Sequence, residues 1–139
     1  MLSSDIHLSR KITTQLLHLA QLSPELEICG LISSKHGVPY RCYPINNSAD
    51  QPQHRFLLDA AQQITAMTQM REQGEDLFAI YHSHPSAPAL PSAIDLAMAT
   101  YADALYLIIS LNTKGILEMR GFNIVDHIAT EVSLALYES

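Results

Sequence analysis

The 139-residue sequence predicts one α/β or α+β domain, a mixed β-sheet flanked by helices. Three observations carry this expectation. Segments with helical apolar spacing are interleaved with short β-type runs, in the order αββαβαβββ. One run, Leu77 to His84, is apolar on both faces, as a central strand covered on both sides must be. The composition, 47% hydrophobic and 16% charged, suits a chain that buries a core.

Leu8, Ile12, Leu16 and Leu19 recur at helical spacing and predict an amphipathic helix over residues 9–22. Ser23-Pro24 ends it, because proline disfavours helix in the residue before it. Glu27 to Ser33 reads as a strand; a turn at Lys35-His36-Gly37 leads to a second strand ending near Ile45. Residues 46–53 are polar and predict a loop. Asp59 caps a second helix, with Gln62 placed as in a capping box, Ala60, Ile64 and Met67 as its apolar stripe, and Gly74 just past its end. After the Leu77–His84 strand, three prolines between Pro85 and Pro91 exclude regular structure. A third helix is expected from Ser92 to about Ala102. Leu105–Leu111, Ile116–Val125 and Ile128–Tyr137 are the closing strands, the first two joined by a turn at residues 112–115.

Fourteen acidic residues against eight Lys plus Arg give a net charge of −6, with no basic cluster, which argues against a nucleic-acid partner. Two cysteines, Cys29 and Cys42, are too few for a disulfide scaffold. The apolar runs are far short of a membrane span, and residues 1–5 show no basic region leading into an apolar stretch. A cytoplasmic protein with no membrane partner is the expectation.

The chemistry concentrates at His82-Ser83-His84, Ser92 and Asp95. On an extended chain alternate side chains share a face, so His82 and His84 point the same way, about 6–7 Å apart at Cα. Two imidazoles can then converge on one metal ion, although partly buried histidines satisfied by neighbours give the same pattern. Ser92-Ala93-Ile94-Asp95 is by itself a capping box, and on that fragment alone the capping reading is the stronger. Taken together, a strand end, a short proline-stiffened loop and a helix start bring two imidazoles and a carboxylate into one neighbourhood. That is a common catalytic zinc set, which leaves a fourth position open, whereas a structural site wants four closed ligands. Hydrolysis at such a site also needs a base off the metal. No His-Glu-x-x-His helix supplies one, so it must come from elsewhere in the chain.

At this level the sequence resembles the JAMM signature of MPN-domain metalloproteases, His-Ser/Thr-His, seven residues, Ser, two residues, Asp, which His82, His84, Ser92 and Asp95 reproduce. The upstream element of that family, Glu-x-Cys-Gly-Leu, is matched by Glu27-Ile28-Cys29-Gly30-Leu31. The resemblance implies a cytidine-deaminase-like MPN fold, with His82, His84 and Asp95 as ligands of a Zn²⁺ ion. It implies Glu27 as the general base and Ser92 as hydrogen-bond donor to the oxyanion. Pro24 stands directly before Glu25 rather than two residues before Glu27, so Glu25 competes for the base; alignment on Cys29-Gly30 favours Glu27. The implied substrate is a small ubiquitin-like or sulfur-carrier protein, cleaved after a C-terminal Gly-Gly with release of cysteine or another amine. This narrower choice follows the family's small prokaryotic members.

Other residues read as structural. Cys29 is expected to be a small buried residue rather than a nucleophile, and Gly30 to let the backbone pack closely beside the site. Ser83 faces away from the histidines. His7, His18, His36, His54 and His127 are expected to be solvent-facing or structural, and Met67, Met70, Met98 and Met119 to fill the core. The rivals are a phage-tail-type or RadC-like peptidase with another substrate and a non-catalytic MPN scaffold. An amidohydrolase barrel needs about 250 residues.

Overall fold

The computed structural model describes residues 5–112 and 118–138. The turn expected at residues 112–115 and the strand start expected at Ile116 fall largely outside them. In chain order the elements are β1 (Ile6–Ser9), α1 (Arg10–Leu22), β2 (Cys29–Lys35), β3 (Val38–Ile45), α2 (Ala60–Glu72), β4 (Asp76–His84), α3 (Ala93–Met98), β5 (Leu105–Ser110), β6 (Glu118–Val125), β7 (Ile128–Val132) and β8 (Leu134–Tyr137). Six strands form one mixed sheet in the order β3-β2-β4-β5-β6-β7, in which β4 and β5 are parallel and the other neighbours antiparallel. β4 is therefore internal, as its two apolar faces require.

Alternation along the strands splits the core into two layers. Ile32, Ala79, Tyr81, Leu107 and Ile109 meet Ile12, Leu16 and Ala20 of α1 on one face. Leu31, Ile80, Tyr106, Ile108 and Phe122 meet Ala66 and Met70 of α2 on the other. His82 and His84 share the parity of Ile80 and so emerge on the α2 face. Two tight turns close the hairpins: His36 and Gly37 join β2 to β3, and Asp126 and His127 join β6 to β7. Both turns place consecutive residues at positive φ, the backbone that matches strand twist.

The fold departs from expectation where long-range pairing decides. β1 was not expected: four residues before α1 pair in parallel with β8, in a separate two-stranded sheet. The last expected strand is accordingly broken at Ser133, where the chain leaves β6 to join β1, and the Ser133 carbonyl accepts from the Ile6 amide at 2.8 Å. α2 buries Ala66 and Met70; of the expected stripe Ala60, Ile64 and Met67, Met67 packs half-buried against the core, while Ala60 is exposed and Ile64 is 66% exposed. Asp59 does cap α2, but Gln62 Oε1 accepts from the Asn46 amide at 2.7 Å instead of reaching back, so only half of the expected box forms. α3 ends at Met98, not near Ala102, because Tyr101 turns away to a different set of partners. Its amide donates to the Tyr106 hydroxyl at 3.1 Å and its own hydroxyl accepts from Gln63 Nε2 at 2.9 Å. Met70 is core, Met67 and Met119 are half-buried, and Met98 is exposed rather than core filler. The five scattered histidines are all exposed.

Gly30 admits a close approach, though on the α1 face rather than at the histidines. A Cβ there would lie 2.5 Å from the Tyr43 carbonyl oxygen and collide with the Tyr81 ring and hydroxyl. Tyr81 is wholly buried, and neither neighbour can move without disturbing the sheet. Gly30→Ala is expected to destabilise the fold by about 3 kcal/mol, the upper range for overpacking a core. A urea unfolding midpoint equal to the wild type's would show that the sheet yields.

Candidate metal centre

Four side chains are delivered to one point by a register and a cap. In the β2–β4 ladder Cys29 stands opposite His82, and the Ser83 amide donates to the Ile28 carbonyl at 3.0 Å. Carried further along the chain, that pairing sets Glu27 beside His84 on the α2 face. Glu27 lies just before β2 rather than within a strand. Glu25 lies in the exposed turn after α1, so the period-two relation expected between them does not apply. Beyond His84, Ser92 caps α3: its Oγ accepts the Asp95 amide at 3.0 Å, and Asp95 Oδ2 accepts the Ser92 amide at 2.9 Å. The capping box thus forms, and it is the device that aims Asp95 at the histidines. Glu27, His82, His84 and Asp95 are all buried, with one ligand atom of each within 4.8 Å of the others.

The spacing suits a metal ion. His82 Nε2 lies 3.1 Å from His84 Nε2 and 3.1 Å from Asp95 Oδ2, and His84 Nε2 lies 3.2 Å from the same oxygen. Donors about 2.0–2.1 Å from a tetrahedral zinc ion stand roughly 3.3 Å from each other. These three atoms therefore form one face of such a tetrahedron, slightly contracted. Proton bookkeeping agrees. His84 Nδ1 is 2.8 Å from the Pro88 carbonyl oxygen, which only accepts, so this nitrogen carries the proton and a neutral ring turns its Nε2 lone pair inward. Facing that lone pair are a carboxylate oxygen and a second imidazole nitrogen. In that tautomer the three atoms converge on one point, as around a bound cation, and the residues fit one; without an ion, protons on the imidazole Nε2 atoms bridge to Asp95 instead.

The electrostatics describe a dry, mutually dependent cluster. Burial pushes the Glu27 carboxyl up to about 7; His84 opposes this and Asp95 adds to it. Burial would also raise Asp95, but hydrogen bonds from His82 and His84 hold it far below the usual carboxylate range. Burial lowers His82 against the pull of Asp95. Burial would lower His84 as well, yet Asp95 and the Pro88 carbonyl leave it raised. Cys29 is pushed up to about 12, first by burial and then by Glu27, and its thiol donates to the Ile45 carbonyl oxygen at 3.4 Å. A thiol so far above neutrality is no nucleophile.

Glu27 Oε1 and His82 Nδ1 are buried without a hydrogen-bond partner. The first is free to serve a bound water or substrate. The second is unusual for a metal-binding histidine, whose far nitrogen ordinarily donates to a carbonyl or carboxylate. Here Phe56 stacks on the His82 ring, with centroids 4.3 Å apart and planes inclined at 21°. Ser83, behind the histidines, brackets Glu27: its Oγ accepts the Ile28 amide at 2.9 Å and donates to the Leu26 carbonyl at 3.4 Å. Ser92 uses its oxygen as the cap acceptor, which leaves the hydroxyl proton for another partner. Sequence reasoning missed Phe56 and the bracketing role of Ser83. Phe56 opens the short apolar run Phe56-Leu57-Leu58 beyond the polar stretch, which carries no site signal, and none existed for Ser83.

Comparison with known proteins agrees with this arrangement. Residues 9–122 match the family described as prokaryotic homologs of the JAB domain. The CysO-cysteine peptidase of Mycobacterium tuberculosis is 30% identical over 129 residues, covering 91% of this chain and 87% of its own. A protein of Desulfitobacterium hafniense, solved in solution, superposes with a TM-score of 0.85 at 32% identity, covering 96% of this chain and 93% of that one. A JAB1/MPN domain protein from Archaeoglobus fulgidus shares the fold alone, with a TM-score of 0.61 at 20% identity over 96% of this chain and 100% of that one. A match running from the cap of α1 into β6 takes in every residue of the cluster, and the chain belongs to the family of prokaryotic homologs of the JAB domain.

Proposed function

We propose that the protein is a zinc-dependent peptidase that cleaves after the C-terminal Gly-Gly of a small ubiquitin-like or sulfur-carrier protein, releasing cysteine or another amine. One observation carries this: three donor atoms stand at tetrahedral-edge spacing beside a buried carboxylate oxygen with no partner. His82, His84 and Asp95 would hold the ion, and their mixed nitrogen and oxygen donors suit zinc. Bound there, zinc would supply Lewis acidity to the scissile carbonyl and to the attacking water. Glu27 takes the proton of that water on Oε1 and returns it to the departing amine. Burial raises this carboxyl to about 7 in the metal-free site, and a cation beside it would lower it again, favouring the ionised form that accepts the proton. Ser92 turns its hydroxyl proton to the oxyanion while its oxygen stays engaged by the Asp95 amide.

The substrate class is supported by the Mycobacterium relative, a CysO-cysteine peptidase matching 91% of this chain. An extended glycine tail is narrow enough to reach a cluster buried at a strand end. The free thiols of Cys29 and Cys42 suit a reducing compartment, and we place the reaction in the cytoplasm on that ground. No described helix is long and apolar enough to cross a membrane.

Metal analysis of purified protein, run beside cleavage of a Gly-Gly-ended carrier fused to a short peptide, tests both parts. About one zinc per chain is expected, with cleavage that stops on chelation and returns with added zinc. Zinc without cleavage would keep the site and discard the substrate; no metal at all would discard both.

A further inference from the structure

The loop between β3 and α2, residues 46–59, forms a wall of the cluster, and one side chain in it touches both halves of the site's support. Asn47 Nδ2 donates to the Glu27 carbonyl oxygen at 2.9 Å and to the Arg55 carbonyl oxygen at 2.9 Å. Asn47 Oδ1 accepts the Ala49 amide at 3.0 Å and the Leu57 amide at 3.0 Å. Both donor positions and both lone pairs of this amide are used, so its orientation is fixed. The same loop accepts the Glu27 amide through the Pro52 carbonyl at 2.8 Å. Both backbone polar groups of Glu27 are thus bonded to this loop. Arg55 and Leu57, two of the other residues that Asn47 holds, flank Phe56, which stacks on His82.

We propose that Asn47 is a positioning residue for the hydrolysis: its amide holds the Glu27 main chain and the Phe56 segment in one rigid frame. It therefore sets where the base stands relative to His82. The proposal rests on the function assigned above. Asn47 itself touches no reacting atom. Its effect reaches the water through Glu27 and the metal ligands through Phe56, whose stacked ring restrains the tilt of the His82 imidazole while Nδ1 stays without a hydrogen-bond partner. Supporting groups of this kind are worth about 10–100-fold in activity or metal affinity, and small displacements of a catalytic group cost similar factors.

The test compares Asn47→Ala and Asn47→Asp with Ser48→Ala. Asn47→Asp keeps an oxygen for the Ala49 and Leu57 amides but loses the donors to Glu27 and Arg55. Ser48→Ala removes another bond of the same loop, from Ser48 Oγ to the Leu57 carbonyl at 3.1 Å, away from Glu27. Both Asn47 variants should lose about 10–100-fold in kcat with KM within about twofold of wild type, while Ser48→Ala stays near wild type. In a Glu27→Gln background with zinc in excess, Asn47→Ala should lower kcat far less than in the wild type, because the base it positions is already gone and the site is kept loaded. A further equal loss in that background, or an equal loss in Ser48→Ala, would mean a general structural role and overturn the proposal. Competition with a chelator gives a readout apart from activity. Asn47→Ala and Phe56→Ala should each give up zinc at several-fold lower chelator concentration than wild type. If the wild-type protein cleaves no carrier fusion, the substrate assignment fails by itself. The chelator competition then decides on Asn47, and unchanged zinc retention in Asn47→Ala would overturn it.

Discussion

Glu27→Gln is expected to lower kcat/KM by about 10²–10⁴-fold, the usual worth of a positioned general base, while about one zinc per chain remains bound. Glutamine keeps the volume and one carbonyl oxygen but cannot take a proton from water. In the native site Oε1 is buried with no hydrogen-bond partner, so the substitution takes no hydrogen bond of Oε1 from the fold. The metal-free variant should also be at least as thermally stable as wild type. Burial pushes the native carboxyl up to about 7, which means that ionising it in place works against the fold at neutral pH. Loss of activity together with equal or higher stability is the signature of a group retained for function. Glu25→Gln serves as the control: Glu25 is exposed in the turn after α1 and should be silent in both measurements. If Glu25→Gln were the inactive variant, the base would be misassigned.

His84→Ala should abolish both metal binding and hydrolysis, and metal titration in a thermal scan would show it most directly. An ion that binds only the folded chain stabilises it by about 4 kcal/mol at a thousandfold excess over its dissociation constant. For a domain near this size that raises Tm by on the order of 10 °C. Wild type should show that rise on adding zinc, and His84→Ala should show little or none. Removing His84 takes one corner from the tetrahedral face and also frees the Pro88 carbonyl that its Nδ1 engages, so the loop carrying the chain to Ser92 loses an anchor. The carbonyl of His84 still accepts the Leu111 amide at 3.1 Å, which keeps the end of β4 paired. A zinc-dependent rise in Tm undiminished in His84→Ala would place the ion somewhere else.

What the sequence disclosed divides along a physical line. The two histidines could be placed on one face because strand parity is strictly local, and Asp95 could be placed near them because a serine cap fixes the first turn of its helix. The element order was legible wherever periodicity was strong, as in α1 and β4. Weak amphipathicity hid the face of α2, where Ala66 and Met70 rather than Ile64 meet the sheet. The early end of α3 depends on the Tyr101 amide bonding to the Tyr106 hydroxyl, a contact with no local periodic signal. Asn47 was read as part of an ordinary polar loop and Phe56 was given no role, because their importance lies in what they touch. Glu27 offers the sharpest contrast. Parity alone left it tied with Glu25; alignment on Cys29-Gly30 favoured Glu27, and burial separates the two, Glu27 being buried and Glu25 exposed.

The parallel pairing of Ile6–Ser9 with Leu134–Tyr137 has a consequence for biosynthesis. A nascent chain leaves the ribosome N-terminus first, so β1 must wait, edge unsatisfied, until β8 has been made. The strands that carry the histidines and their neighbours are translated by Ser110 and have no such dependence. Vectorial synthesis therefore lets the chemical half of the molecule assemble early and leaves a late zipper to secure the opposite layer.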